Sequence, residues 1–183
     1  MTMIAPDIVI RHFYPEDTPL RRLLLRHSGQ VRDKALAILA SPSCPVKLDV
    51  QFVSAGAMLH DIGIFRCNAP SIQCFGSEPY ICHGAIGGQI LREEGWLRHA
   101  LVCERHTGTG LSREQILRQQ LPLSPDGHYE PEALEEQVVC YADKFYSKSH
   151  PDIEKTPEQA LRSLEKFGSE GLEVFKAWIA QFE

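Results

Sequence analysis

Apolar residues recur at intervals of three and four along most of the chain, which is the period of an α-helix. One apolar stripe begins directly after Thr18-Pro19, which match an N-cap residue and a proline in the first helical turn. Ser112 and Thr156 each open a capping-box sequence, which is typical of a helix start. Besides helices after Thr18 and Ser112, the pattern predicts helices over 49–63, 83–94, 97–106, 131–148 and 156–182. We therefore predict an all-α fold.

Two stretches, 64–82 and 121–130, lack a clear period and are interrupted by proline and glycine. We interpret the first as a loop over a functional site. No repeat or linker divides the 183 residues, so a single domain over 1–183 is expected. Its core motifs fall within 18–148, and the C-terminal helices over 156–182 are expected to pack against them.

Composition narrows the class of protein. A content of 43% hydrophobic and 23% charged residues is typical of a soluble globular chain. No apolar run approaches the roughly 20 residues that a membrane-spanning helix needs. The six cysteines form no CxxC pair and the N-terminus has no secretory signal, which favours reduced thiols and a cytoplasmic location. The net charge of −5, with scattered basic residues, argues against a dedicated nucleic-acid binder.

Several polar residues occupy positions where a core is expected. His27 interrupts the apolar stripe of the first helix, and His60-Asp61 end a largely apolar one. A buried carboxylate without a partner is costly, and a cation is a usual remedy. Three more residues stand at helix ends or beside core positions: His83, His106 and Asp143. Each alone is more often a hydrogen-bonded structural residue, but together they indicate a shared cation site.

The chemistry of this set favours transition metals. Four imidazoles and two carboxylates suit iron, manganese or zinc, with nickel as an alternative. Six ligands exceed what one tetrahedral structural zinc requires. They can serve a pair of metal ions that share a carboxylate. We therefore expect a divalent transition metal, with two ions as the preferred interpretation.

The same residues resemble the motifs of the HD superfamily, and specifically its His-Asp-Ile-Gly subgroup. The matching segments lie within 27–148 and are His27 with Val31, Leu59-His60-Asp61-Ile62-Gly63, His83-Gly84, His106-Thr107-Gly108 and Ala142-Asp143-Lys144. The resemblance implies an HD-domain helical bundle with the metal site in its core. It also implies two ligand sets that share one aspartate: His27, His60, Asp61 and Asp143 for one ion, and Asp61, His83 and His106 for the other.

The segments at His83 and His106 look most like those of bacterial symmetrical diadenosine tetraphosphatases. On this resemblance we expect a metal-dependent phosphohydrolase that cleaves a phosphate ester or anhydride of a nucleotide-like substrate. A metal-bridged hydroxide would attack phosphorus, with Asp61 and His60 as catalytic residues. The expected partner is a small phosphorylated substrate, with no membrane, and a homodimer is compatible with the sequence.

One departure from the family pattern concerns the substrate. Many members carry a lysine where Ile64 stands, and that lysine can meet a substrate phosphate. Other cations could replace it, or could be plain surface charges: Arg66, Arg105, Lys144 and Lys148. Two rival hypotheses remain open, a non-catalytic metal- and nucleotide-binding sensor and a purely structural helical domain with buried polar contacts.

Overall fold

Helices carry most of the chain in the computed structural model, which describes residues 5–42, 44 and 46–183. The predicted domain 1–183 therefore includes a few residues, 1–4, 43 and 45, that lie outside the described part. The α-helices are α1 (Pro6–Phe13), α2 (Pro19–Ala40), α3 (Val50–Leu59), α4 (His83–Glu93), α5 (Leu97–Arg105), α6 (Arg113–Arg118), α7 (Leu134–Asp143), α8 (Pro157–Ser163) and α9 (Ser169–Phe182). Short 3-10 helices cover Ile62–Arg66, Pro70–Ile72, Tyr80–Cys82 and Glu165–Phe167.

The predicted helix starts are confirmed at two caps. The Thr18 hydroxyl accepts a hydrogen bond from Arg21 N at 3.1 Å, and α2 begins at Pro19. At α8, Thr156 and Gln159 form the reciprocal capping box, with bonds of 2.9 and 3.3 Å. The box predicted at Ser112 is only half formed. Its hydroxyl accepts from Gln115 N, but the Gln115 amide donates instead to Phe167 O at 2.7 Å.

Two predicted helices end earlier than the pattern suggested. Helix α3 stops at Leu59 because the backbone leaves the helical region at Asp61 and tightens into a 3-10 turn, in which Ile64 N donates to Asp61 O. Helix α7 covers Leu134–Asp143 rather than 131–148, since Ala133 is extended and Lys144 N bonds back only three residues, to Tyr141 O. Both site aspartates, Asp61 and Asp143, therefore stand where a helix gives way to another conformation.

The predicted loop over 64–82 is more ordered than expected. It contains the antiparallel strands β1 (Asn68–Ala69) and β2 (Cys74–Phe75), with Asn68 opposite Phe75 and Ala69 opposite Cys74. Strands this short give little alternation, so the sequence pattern does not reveal them. The described part of the chain is thus mostly helical with one small sheet, rather than strictly all-α.

Two clusters of buried apolar residues hold the helices together. One joins α2, α3 and α7 to the C-terminal helices through a group of aromatic rings in edge-to-face and tilted contact: Tyr141, Phe145, Phe175, Trp178 and Phe182. The other is built around Leu24, Leu59, Ile62 and Ile90. Because α2, α3 and α5 contribute to both clusters, residues at the ends of α3 and α5 are fixed from two sides.

The described helices include none that is both long and apolar enough to cross a membrane. All six cysteines are free, and four of them are buried.

Candidate metal centre

All six of the sequence-predicted ligands meet in the interior of the protein. His27 comes from the middle of α2, His60 and Asp61 follow α3, and the other three stand at the start of α4 and the ends of α5 and α7. None is more than 9% exposed, with values of 2% for His27, 0% for His60, 0% for Asp61, 5% for His83, 2% for His106 and 9% for Asp143. Their role as metal ligands stays a prediction, but the required convergence is present.

The first group of donors surrounds one oxygen of Asp61. Asp61 Oδ2 lies 3.0 Å from His60 Nε2 and 3.3 Å from His27 Nε2. Asp143 Oδ1 lies 2.9 Å from His27 Nε2 and 3.5 Å from His60 Nε2. Two imidazoles and two carboxylates thus place donor atoms within 4.8 Å of one another, a spacing suited to one cation.

The second group faces the other oxygen of the same carboxylate. Asp61 Oδ1 lies 3.4 Å from His83 Nε2 and 3.5 Å from His106 Nε2. The two imidazole nitrogens are 2.9 Å apart. Asp61 therefore presents one oxygen to each donor group, as a carboxylate that bridges two ions would.

Backbone carbonyls fix the direction in which three of these rings point. The Nδ1 atoms of His60, His83 and His106 donate to the carbonyl three residues earlier, at 2.7, 2.6 and 2.7 Å. Those carbonyls belong to the helical turns that end at each histidine. The bond places the proton on Nδ1 and leaves the Nε2 lone pair free for a metal ion.

This orientation creates a conflict that a cation resolves. When His83 and His106 are neutral, their Nε2 lone pairs face each other at 2.9 Å with no proton between them. Asp61 Oδ1 is buried and has no hydrogen-bond donor among the described residues. Buried polar atoms in native proteins are normally satisfied, so three electron-rich atoms converging on one point fit a positive ion.

Burial and charge push the pKa values of the two groups in opposite directions. Burial, reinforced by the neighbouring His106, lowers the pKa of His83 to about 3, and burial also lowers that of His106. Burial acts in the same direction on His60, but the Asp61 and Asp143 carboxylates outweigh it and raise its pKa to about 9. The first group thus attracts positive charge strongly, while the second keeps its imidazoles neutral and able to coordinate.

A cavity of about 530 Å³ opens onto one side of the centre, where His83, His106 and Asp143 reach its wall. Four lysines line it: Lys144, Lys148, Lys155 and Lys166. Lys148 Nζ lies 2.6 Å from Asp61 Oδ2, and this contact outweighs burial and raises the pKa of Lys148. Lys144 Nζ binds Asp143 Oδ2 at 2.6 Å and His106 O at 2.8 Å.

Lys155 and Lys166 were missed by the sequence analysis. They lie beyond the last site aspartate and outside every motif described above. The only signal was a modest density of lysines over 144–166, which is equally typical of a solvated surface.

Two predicted substrate contacts lie elsewhere. Arg66 is exposed, with its guanidinium carbon 5.6 Å from the centre of the Phe65 ring, and it does not line the cavity. Arg105 is buried and pairs with Glu136 at 2.9 Å and Glu132 at 3.3 Å. It joins the end of α5 to the start of α7. Lys144 and Lys148, by contrast, do reach the cavity.

Two known proteins that are similar to this chain are named for the methylation of tRNA. A protein of Thermoplasma volcanium named tRNA (cytidine(56)-2'-O)-methyltransferase is 34% identical over 125 residues, 68% of this chain and 32% of the relative. A protein of Picrophilus torridus with the same name is 32% identical over 126 residues, again 68% of this chain and 32% of the relative. The chain resembles a part of two tRNA methyltransferases.

A third relative carries no activity in its name. This uncharacterized protein of Methanocaldococcus jannaschii is 38% identical over 100 residues, 54% of this chain and 51% of the relative. The chain thus spans 32% of the length of the two named relatives and 51% of the third. No family model matches the chain, and no solved structure matches it significantly.

These names overturn the functional assignment made from the sequence. The relatives are named for methylation of tRNA, which contradicts the assignment to HD phosphohydrolases and the predicted cleavage of a small nucleotide-like substrate. They give no support to the alternative of a nucleotide sensor. The expectation of no nucleic-acid partner is likewise contradicted, since the named relatives act on tRNA.

The functional assignment failed because the histidine and aspartate motifs indicate only candidate metal ligands, whereas the partner depends on other residues. A pattern of histidines and aspartates at helix ends specifies donors for a cation, whereas the reaction depends on the surface around them. The net charge of −5 is an average over the whole chain, whereas four lysines gather at one cavity. Local charge, rather than total charge, governs contact with a polyanion.

Proposed function

We propose that this chain is a metal-binding domain that holds tRNA through the phosphates of its backbone, in support of tRNA 2'-O-methylation. The observation that carries the proposal is the single carboxylate of Asp61, shared by two donor groups beside a lysine-lined cavity. The two named relatives support tRNA as the partner. Because the chain spans only 32% of their length, we assign to it metal-dependent tRNA binding rather than their whole activity.

The donor groups support two divalent transition metal ions, with iron, manganese or zinc as the preferred elements. One ion would be held by His27, His60, Asp61 and Asp143, and the other by Asp61, His83 and His106. When bound, such ions supply strong Lewis-acid contacts to phosphate or ribose oxygens. The protein's own contribution is to keep the donors buried and to fix the imidazole rings through backbone carbonyls.

The charge of the loaded centre favours an anionic partner. Asp61 and Asp143 together balance only half of the positive charge of two divalent ions. Lys144 and Lys148 add further positive charge at the same wall of the cavity. A buried excess of this kind is stabilised when an anion enters, and an RNA backbone carries one such charge on every phosphate.

The proposal predicts that tRNA binding depends on metal. A fluorescently labelled, unmodified tRNA transcript would be titrated with the chain loaded with manganese and with the chain stripped by a chelator. We expect binding to be at least about tenfold tighter with metal, which corresponds to about 1.4 kcal/mol. We also expect the affinity to fall as salt rises, since counterions are released from the phosphates.

Matched histidine variants provide the control. His106→Ala removes a donor of the second group and should reduce the metal-dependent gain, while the first group keeps all of its donors. His128→Ala changes a histidine whose side chain is 76% exposed, and should leave the gain intact. Equal tRNA affinity with and without bound metal would refute the proposal. The proposal would also be refuted if the chain retained no metal after incubation with manganese.

A further inference from the structure

We propose that Lys148 and a metal ion compete for the same oxygen of Asp61, so that metal binding transfers the Lys148 ammonium from this carboxylate to the tRNA backbone. The proposal rests on the metal site of the proposed function and names the residue that links metal binding to RNA binding. Lys148 would therefore contact the RNA backbone only when the centre holds a metal ion.

The atom for which Lys148 and the metal ion compete is Asp61 Oδ2. Lys148 Nζ lies 2.6 Å from Asp61 Oδ2, and its side chain is only 13% exposed. The same oxygen lies 3.0 Å from His60 Nε2 and 3.3 Å from His27 Nε2, so it is the one that the first donor group surrounds. An ion held by this group would sit against the atom that Lys148 now contacts.

Two positive charges on one buried oxygen repel each other strongly, because little solvent screens them. The ion has further donors to hold it, from His27, His60 and Asp143. Lys148, by contrast, has a flexible four-carbon stem and no other carboxylate within ion-pairing distance among the described residues. The ammonium is therefore the partner that moves.

The cavity provides the place to which it moves. Lys148 lies on the segment between α7 and α8 and lines the cavity together with Lys144, Lys155 and Lys166. Rotation about its side-chain bonds carries the ammonium from the inner wall toward this lysine cluster without a change in the backbone. Four ammonium groups at one wall repel one another, and a bound phosphate relieves that repulsion.

The consequence is positive coupling between metal and RNA. Metal binding frees a cation for the phosphates, and phosphates that hold the ammonium in the cavity keep it away from Asp61. By thermodynamic linkage, each ligand raises the affinity of the other by the same factor. A lysine that merely stabilised a metal-bound carboxylate would produce no such reciprocity.

The test is the sign of the change in metal affinity when Lys148 is removed. Manganese binding by Lys148→Met would be measured by calorimetry beside the parent chain, with Lys148→Gln as a second variant that retains a polar side chain. We expect both variants to bind manganese at least about tenfold more tightly, and their loaded forms to bind the tRNA transcript about tenfold more weakly. Circular dichroism would establish that each variant is folded.

Lys176→Met is the matched control, because the Lys176 side chain is 54% exposed and its one ion-pair partner among residues 5–42, 44 and 46–183 is Glu173 on α9. It should change neither affinity. Unchanged or weaker manganese binding by both Lys148 variants would overturn the competition. If the parent chain itself bound no manganese, the metal site of the proposed function would fail first, and the two failures are thus distinguishable.

Discussion

Replacing Asp61 by asparagine is expected to remove both metal ions and, with them, metal-dependent tRNA binding. Asp61 supplies Oδ2 to one donor group and Oδ1 to the other, so a single substitution weakens both. Losing a partner one step removed from a metal typically lowers affinity about 10–100-fold, and loss of a shared charged ligand should exceed about 100-fold. The asparagine has nearly the same shape, so the fold should survive.

The measurement is the metal content of purified, manganese-loaded protein by mass spectrometry. His106→Ala serves as the graded comparison, because it removes a donor from one group only and should retain one ion. Asp152→Asn is the matched control for the loss of a carboxylate, since the Asp152 side chain is 82% exposed and pairs with Arg26 rather than with a candidate metal ligand. Full metal content in Asp61→Asn would show that the two groups do not share this residue.

Replacing Gly63 by alanine is expected to cause a large loss of stability. A Cβ at this position would lie 2.4 Å from His83 O and 2.6 Å from Gly87 N, both in the backbone of α4. Backbone cannot rotate away as a side chain can, so α4 must shift and carry His83 with it. Overpacking of this kind costs about 3 kcal/mol, which lowers Tm by about 6–12 °C in a domain of this size.

Thermal and urea unfolding would measure this loss, and metal content would follow the displacement of His83. Gly29→Ala is the control, because Gly29 lies within α2 and an added Cβ there meets nothing within 4 Å. That substitution should stabilise the chain by about 0.5–1 kcal/mol through reduced backbone entropy of the unfolded state. A Gly63→Ala variant as stable as Gly29→Ala would contradict the close packing of α4 against the turn after Asp61.

The sequence indicated which residues meet at the candidate site better than it indicated which residues surround them. A histidine in an apolar stripe, or an aspartate at the end of an apolar helix, conflicts with burial unless it has a partner, and that conflict is visible in one dimension. His27, Asp61 and Asp143 were found in this way. The caps at Thr18 and Thr156 were equally legible, since they depend on contacts within one turn.

Features that depend on distant parts of the chain could not be read in the same way. The contact between Lys148 and Asp61 joins residues far apart in sequence, and neither neighbourhood signals the other. The pairing of Arg105 with Glu136 is of the same kind. Because the sequence does not reveal this ion pair, Arg105 could be predicted as a substrate contact. Short strands such as Asn68–Ala69 contain too few residues to show a period.

Of the fold, the candidate site and the function, the function was the hardest to predict from the sequence. Ligands for a metal ion constrain residue types and spacing tightly, whereas the choice of reaction and partner is set by a cavity wall assembled from several segments. The lysines of that wall are ordinary residues in ordinary places along the chain. Their convergence in space, together with relatives named for tRNA methylation, supports the proposal that RNA is the partner.

We propose that two metal ions share Asp61, and anomalous X-ray diffraction from crystals of the manganese-loaded chain tests this most directly. Data collected above and below the manganese absorption edge locate each ion without assumptions about the ligands. We predict two anomalous peaks on either side of the Asp61 carboxylate, one beside His27, His60 and Asp143 and the other beside His83 and His106. Fewer than two peaks at Asp61 in fully loaded crystals would contradict the account.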